Sequence, residues 1–139
     1  MQLNANIHLT IALTAVGLGF FLSAAPGARA DGPDYEGTIA YIQSGLSGTF
    51  TERDQCTFHS KNPPPEGEHI FHAGTLGIVP TAITSDEIGF ACPEGAHCIS
   101  ALSENPTDKN EIRFAIHNDA HGVALAVSRL IEMCSGVLH

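Results

Sequence analysis

The chain has 139 residues and a formal net charge of −9, a length that allows one domain at most. Residues 1–30 contain a single charged side chain, Arg29, whereas all 15 carboxylates follow Ala30. Without residues 1–30 the chain has five basic and 15 acidic side chains, a formal charge of −10. This balance argues against binding to nucleic acid or to an anionic membrane, because both need basic patches.

The first 30 residues have the pattern of a secretory signal peptide. Ile7–Ala25 is almost wholly apolar, and Ala28-Arg29-Ala30 has the small residues that a signal peptidase requires. We therefore expect cleavage before Asp31, leaving residues 31–139 as a single small domain. The leading MQLNAN lacks Lys and Arg, so an uncleaved N-terminal anchor is the alternative. No later apolar stretch approaches 18 residues, which predicts no membrane segment after cleavage.

All four cysteines lie after the predicted cleavage point. An even number of cysteines in a short exported chain predicts disulfides, with three possible pairings. Cys92 and Cys98 enclose five residues that include Pro93 and Gly95, which suits a bridge across a hairpin neck. Cys56 would then pair with Cys134, closing a long loop worth about 4 kcal/mol. The spacing of a structural zinc site is absent, and the disulfides predict a periplasmic or secreted protein.

The predicted elements begin with a helix. Asp34 is a plausible N-cap, Gly48 a plausible end, and apolar residues recur at helical spacing at Tyr35, Ile39, Ile42 and Leu46. Thr49–Ser60 is predicted to form two short strands or one bent hairpin, with Glu52–Gln55 as the turn. A strand interpretation of Thr38–Ile42 stays open, because two glycines weaken the helix.

A proline-rich loop and several strands follow. Lys61–Glu68 contains three consecutive prolines, which preclude a central strand. Strands are predicted at the start of His69–Val79, around Ile88–Cys92 and at Glu111–His117, where apolar and polar residues alternate.

The last element is predicted to be an amphipathic helix. Asn118 is the expected N-cap with Asp119 in the first turn, and one apolar stripe comprises Ala120, Val123, Val127, Leu130, Ile131 and Cys134. The elements together predict an α+β domain. Its short N-terminal helix precedes a curved antiparallel sheet of about five or six strands, on which the C-terminal amphipathic helix packs.

This order of elements resembles small exported bacterial proteins of unknown function. The resemblance covers most of residues 35–135 and depends on apolar positions, among them Phe114, Ile116, Val123, Val127, Leu130 and Cys134. Those proteins have a predicted shape similar to a pleckstrin-homology-like roll, a curved meander plugged by a C-terminal helix. The resemblance implies a fold and no activity.

Seven histidines lie in the predicted mature chain and invite comparison with a metal site. His69 and His72 are three residues apart, which on a strand places them on opposite faces. His117 and His121 flank Asp119 where a strand gives way to a helix, and a shared ion would need these two to meet His72 or His97. Solvent-exposed or core-edge histidines are the simpler interpretation, and no metal ligand or cofactor is assigned.

Catalytic motifs are absent from the sequence. No G-x-S-x-G string occurs, and the carboxylates Glu66, Glu68, Asp86, Glu87 and Glu94 fall in apparent loops and turns. The sequence therefore favours a non-catalytic module that binds a protein or a small molecule on the open side of its sheet. A histidine-based metal-binding protein or metal-dependent enzyme of the periplasm is the alternative, and the sequence names no specific partner.

Overall fold

Short segments separated by turn residues build this domain, so most of its elements are strands. The computed structural model describes residues 33–102 and 107–136. Its elements are α1 (Pro33–Gly45), β1 (Thr49–Asp54), β2 (Thr57–Asn62), β3 (Gly67–His72), β4 (Ala82–Ile83), β5 (Glu87–Ala91), β6 (Ile99–Leu102), β7 (Asp108–Lys109), β8 (Glu111–Ala115) and α2 (Ala120–Cys134). Single 3-10 turns lie at Ala73–Thr75 and Pro93–Gly95.

The strands form two antiparallel sheets. The larger has the order β1-β2-β3-β6-β7 and the smaller the order β4-β5-β8. The α+β class with a helix at each end is confirmed. Whereas the sequence analysis expected one curved sheet, eight strands are divided between two, because the chain turns from β7 into β8 at Asn110 without pairing these strands.

Helix α1 buries the predicted apolar stripe, Tyr35, Ile39, Ile42 and Leu46. Its bounds differ from prediction: Asp34 lies within the first turn because Pro33 begins the helix, and the helix ends at Gly45 instead of Gly48. Gly45 lets the two helices approach closely, since an added Cβ would lie 2.3 Å from Val123 Cγ2.

The hairpin of β1 and β2 extends further than the sequence predicted. Its turn is Gln55–Cys56, not the whole of Glu52–Gln55, and β2 continues through Lys61 to Asn62. Because β3 already begins at Gly67, the proline loop is only residues 63–66. Alternation along β2 therefore points Ser60 and Asn62 to the same face as Phe58.

Four phenylalanines form the centre of the core between the sheets. Phe50 stacks on Phe58 with ring centroids 4.6 Å apart. Phe114 of β8 meets Phe50 and Phe71 edge-on, at 6.0 and 5.9 Å. These contacts join the two sheets, and aromatic pairs of this geometry add to the free energy gained from apolar burial alone.

Helix α2 covers the core with the predicted stripe, of which Val123, Val127, Leu130, Ile131 and Cys134 are buried. The predicted N-cap was one residue early: Asp119 caps the helix by accepting a hydrogen bond from Gly122 N–H, because its left-handed backbone (φ 55°) precedes the first helical residue. Within residues 33–102 and 107–136, neither helix has the length and hydropathy of a membrane span.

Candidate functional site

The four cysteines form the two predicted disulfides. Cys56 pairs with Cys134 at a Cα–Cα distance of 5.7 Å, joining the β1–β2 turn to the end of α2. Cys92 pairs with Cys98 at 5.9 Å and closes the loop between β5 and β6. Both predicted pairings are thus present, and none of the four sulfur atoms is left as a free thiol.

The Cys56 turn is also held by α1. The Tyr35 hydroxyl donates a hydrogen bond to Glu52 Oε2, and the same carboxylate oxygen accepts one from Cys56 N–H at 3.2 Å. Burial and the neighbouring Glu52 raise the pKa of the Tyr35 hydroxyl, so it stays protonated and donates. This end of the molecule is therefore closed by a disulfide and by hydrogen bonds.

The described histidines differ in burial. His97, His117 and His121 are exposed, whereas His69 and His72 are buried. His72 Nδ1 accepts a hydrogen bond from Gly74 N–H at 3.1 Å, which gives it a capping role. In the part of the chain that the structure describes, no three His, Cys, Asp or Glu side chains lie together as metal ligands would.

The opposite end of the core carries an unusual group of polar side chains. Ser60 of β2 pairs with His69 of β3 in the strand register, so both point towards the core, and Asn62 follows Ser60 on that face. Their exposed fractions are only 0, 1 and 5%, respectively. We call these three residues the polar trio.

Each member of the polar trio has an atom without a hydrogen-bond partner among the described residues: Ser60 Oγ, Asn62 Nδ2 and His69 Nδ1. The Asn62 oxygen is already occupied, because Oδ1 accepts a hydrogen bond from Ala115 N–H at 3.3 Å. Buried polar atoms in native proteins usually have partners, and leaving one unpaired costs about 1–3 kcal/mol. Three such atoms on one face make this end of the core a candidate site.

Two cavities open at this end of the molecule, and one member of the polar trio, His69, lines one of them. The inner one, of about 310 Å³, is lined by His69, Ala101, Lys109 and the β2–β3 turn including Glu66. The outer one, of about 550 Å³, is lined by Glu66, His97, Lys109, Glu111 and Arg113, among others. Glu66 and Lys109 line both cavities, and we call the combined space the Glu66–Lys109 groove.

Charges around the groove differ in how far they are compensated. Arg113 Nη1 lies 2.6 Å from Glu87 Oε1, and its Nε lies 3.2 Å from Glu111 Oε1. Glu111 also accepts a hydrogen bond from Thr81 Oγ1, which with Arg113 holds the pKa of the Glu111 carboxyl below its usual range although its partial burial opposes this. This network leaves little free charge on β8.

Glu66 and Lys109, by contrast, form no ion pair with any described residue, and neither does Asp108, which lines the outer cavity only. Burial lowers the pKa of His69, and the positive charge of Lys109 lowers it further. The buried imidazole is therefore neutral at pH 7 and offers a hydrogen-bonding nitrogen instead of a charge. The groove can hold a ligand by hydrogen bonds and by two opposite charges.

Sequence reasoning placed Glu66 among solvated loop carboxylates and assigned no role to Ser60, Asn62, His69 or Lys109. One pattern could have found part of the site. In Thr57–Asn62, Ser60 and Asn62 alternate with Phe58 and therefore occupy the buried positions of a strand. Two polar residues at buried positions require partners, which is a sequence-level indication of a site.

No protein-family model matches the chain, and neither the curated proteins nor the solved structures give a match. The resemblance to small exported proteins therefore stays a prediction. The site has to be interpreted from its own geometry and chemistry.

Proposed function

We propose that this protein is an exported, non-catalytic binding module that takes a small molecule in the Glu66–Lys109 groove. The observation that carries the proposal is the groove itself. Side chains from the β2–β3 turn, β7 and β8 converge on about 550 Å³ of open space, and charges of both signs there, Glu66, Asp108 and Lys109, have no ion-pair partner in the described residues. Binding sites typically combine a concave space with a few polar groups that orient the ligand.

Export is the second part of the proposal. Two disulfides are typical of proteins that fold outside the cytoplasm. The predicted signal peptide, residues 1–30, lies outside the described residues. Its cleavage predicts an exported protein whose intact mass begins at Asp31 and whose cysteines do not react with an alkylating reagent before reduction. A mass that includes residues 1–30 would favour the uncleaved anchor and overturn this part.

Binding in the groove can be tested by NMR on the 15N-labelled mature chain. Glycine, acetate, ethylamine and glucose serve as probes, and each is titrated separately against the amide spectrum. We expect at least one probe to shift the amide signals of Glu66, Lys109 and Asn110 saturably while leaving the β1–β2 turn unchanged. Absence of any saturable shift in the groove with all four probes would contradict the proposal.

A further inference from the structure

The chemistry of the groove also indicates which class of small molecule fits it, an inference that rests on the proposed function. The inner cavity has three carboxylate or ammonium side chains in its lining, and one of them is compensated. Glu68 contacts His59 Nε2 at 3.1 Å and Lys61 Nζ at 3.5 Å. Glu66 and Lys109 remain as one negative and one positive charge without ion-pair partners in the described residues.

One member of the polar trio, His69, lines this cavity, whereas Ser60 and Asn62 do not. Nδ1 of the neutral His69 has no hydrogen-bond partner among the described residues and donates in one tautomer. A ligand group that pairs with this donor must be an acceptor, and Lys109, which lines the same cavity, favours a negatively charged one.

The size of the space limits the ligand further. Ala101 lies opposite His69 in the strand register, and its small side chain leaves room before the imidazole. A cavity of about 310 Å³ admits a compact molecule. Because it contains a single uncompensated cation, a monocarboxylate is a better match than a doubly charged anion such as phosphate.

From these contacts we infer that the Glu66–Lys109 groove binds a small zwitterion of the α-amino acid class. The ligand carboxylate lies at Lys109 and His69, and its ammonium group lies at Glu66. The carboxylate gives the buried His69 Nδ1 an acceptor. Each charge of the ligand then meets an opposite charge that has no ion-pair partner among the described residues.

Three of the NMR probes separate the contributions. Glycine has both charges, acetate only the carboxylate and ethylamine only the ammonium group. We expect glycine to bind most tightly, acetate to bind about tenfold more weakly and ethylamine to bind weakest, as the loss of charge-assisted contacts predicts. The His69 ring nitrogens, observed by long-range 1H–15N correlation, should shift with glycine and acetate but not with ethylamine.

Three variants test where the carboxylate and the ammonium group of the ligand bind, and a fourth is the control. Lys109→Gln should weaken glycine and acetate alike by about tenfold, whereas Glu66→Gln should weaken glycine to the level of acetate and leave acetate unchanged. Ala101→Val fills the space before His69 and should abolish both. Arg129→Gln, an exposed cation that pairs with the exposed Asp34 and lines neither cavity, is the control and should change neither.

Two results would overturn the inference while leaving the proposed function standing. One is tighter binding of glucose or ethylamine than of glycine in the groove. The other is glycine binding that leaves the His69 ring signals unchanged, which would mean that the ligand carboxylate does not reach His69. Failure of all four probes would instead contradict the proposed function itself.

Discussion

The two ends of the core between the sheets have opposite character. At one end Phe50, Phe58 and Phe71 pack together, and the Cys56–Cys134 disulfide joins the hairpin turn to α2. At the other end the polar trio is buried without full hydrogen bonding among the described residues, and its member His69 lines a cavity of the groove. With the proposed function, this difference is a division of roles, in which stability is concentrated at the aromatic end and binding is expected at the polar end.

The largest expected effect is loss of the Cys56–Cys134 disulfide. Replacing both cysteines by serine should lower the free energy of unfolding by about 4 kcal/mol, because the bridge closes a loop of 78 residues. The matched change of Cys92 and Cys98, only six residues apart, should cost about 2 kcal/mol. Urea unfolding of both variants measures the difference. Equal losses would contradict the chain-entropy explanation.

Truncation at the aromatic end should be nearly as costly. Phe58→Ala removes a fully buried ring that stacks on Phe50 and should lower the free energy of unfolding by about 3 kcal/mol. Leu125→Ala, on the exposed face of α2, is the control and should change it by less than about 0.5 kcal/mol. Truncations of this kind are expected to cost roughly 3 kcal/mol. A loss below about 1 kcal/mol for Phe58→Ala would therefore show that the aromatic end does not dominate stability.

Low pH should reduce the free energy of unfolding that His69 contributes at the polar end of the core. Because burial and Lys109 lower the pKa of His69 in the folded state, the unfolded chain takes up the proton first as the pH falls. The contribution of His69 is thus fully present above about pH 6.5 and is lost as the pH falls through its folded pKa. Urea unfolding over roughly pH 5–6.5 should show a smaller decline for His69→Asn than for the wild type. His97→Asn, at an exposed position, should behave as the wild type does; identical declines in all three proteins would refute this explanation.

The smallest expected effect on stability comes from a single change in the polar trio. Ser60→Ala removes a buried hydroxyl that has no partner among the described residues, so the variant should be as stable as the wild type or more stable by about 1 kcal/mol. If urea unfolding shows a loss of more than about 1 kcal/mol, the hydroxyl has a structural partner and the division of roles is wrong.

Much of the framework could be predicted from the sequence. Helical spacing identified the buried stripes of α1 and α2, and alternation identified the buried face of β8, Ile112 and Phe114. The spacing of Cys92 and Cys98 favoured the observed pairing. These patterns are local, since a face that is buried repeats with the period of its own helix or strand.

Less of the candidate site could be predicted from local sequence patterns. Because of the three prolines, Lys61–Glu68 was predicted to be a loop, although β2 continues to Asn62 and β3 begins at Gly67. Without these bounds, Ser60 and His69 cannot be placed opposite one another. Glu66 and Lys109 are 43 positions apart in the numbering, and nothing in their local sequence distinguishes them from other surface charges.

The sequence by itself determined the elements, their apolar faces and the disulfide framework, because each depends on spacing within a short segment or on the chemistry of cysteine in a chain that is predicted to be exported. Only the tertiary structure decided that the strands form two sheets, that the polar trio faces the core and that Glu66 and Lys109 line one groove. Those features depend on strand register and on how the sheets meet. Register joins residues that are distant in the chain, so it is decided by the packing of the whole domain.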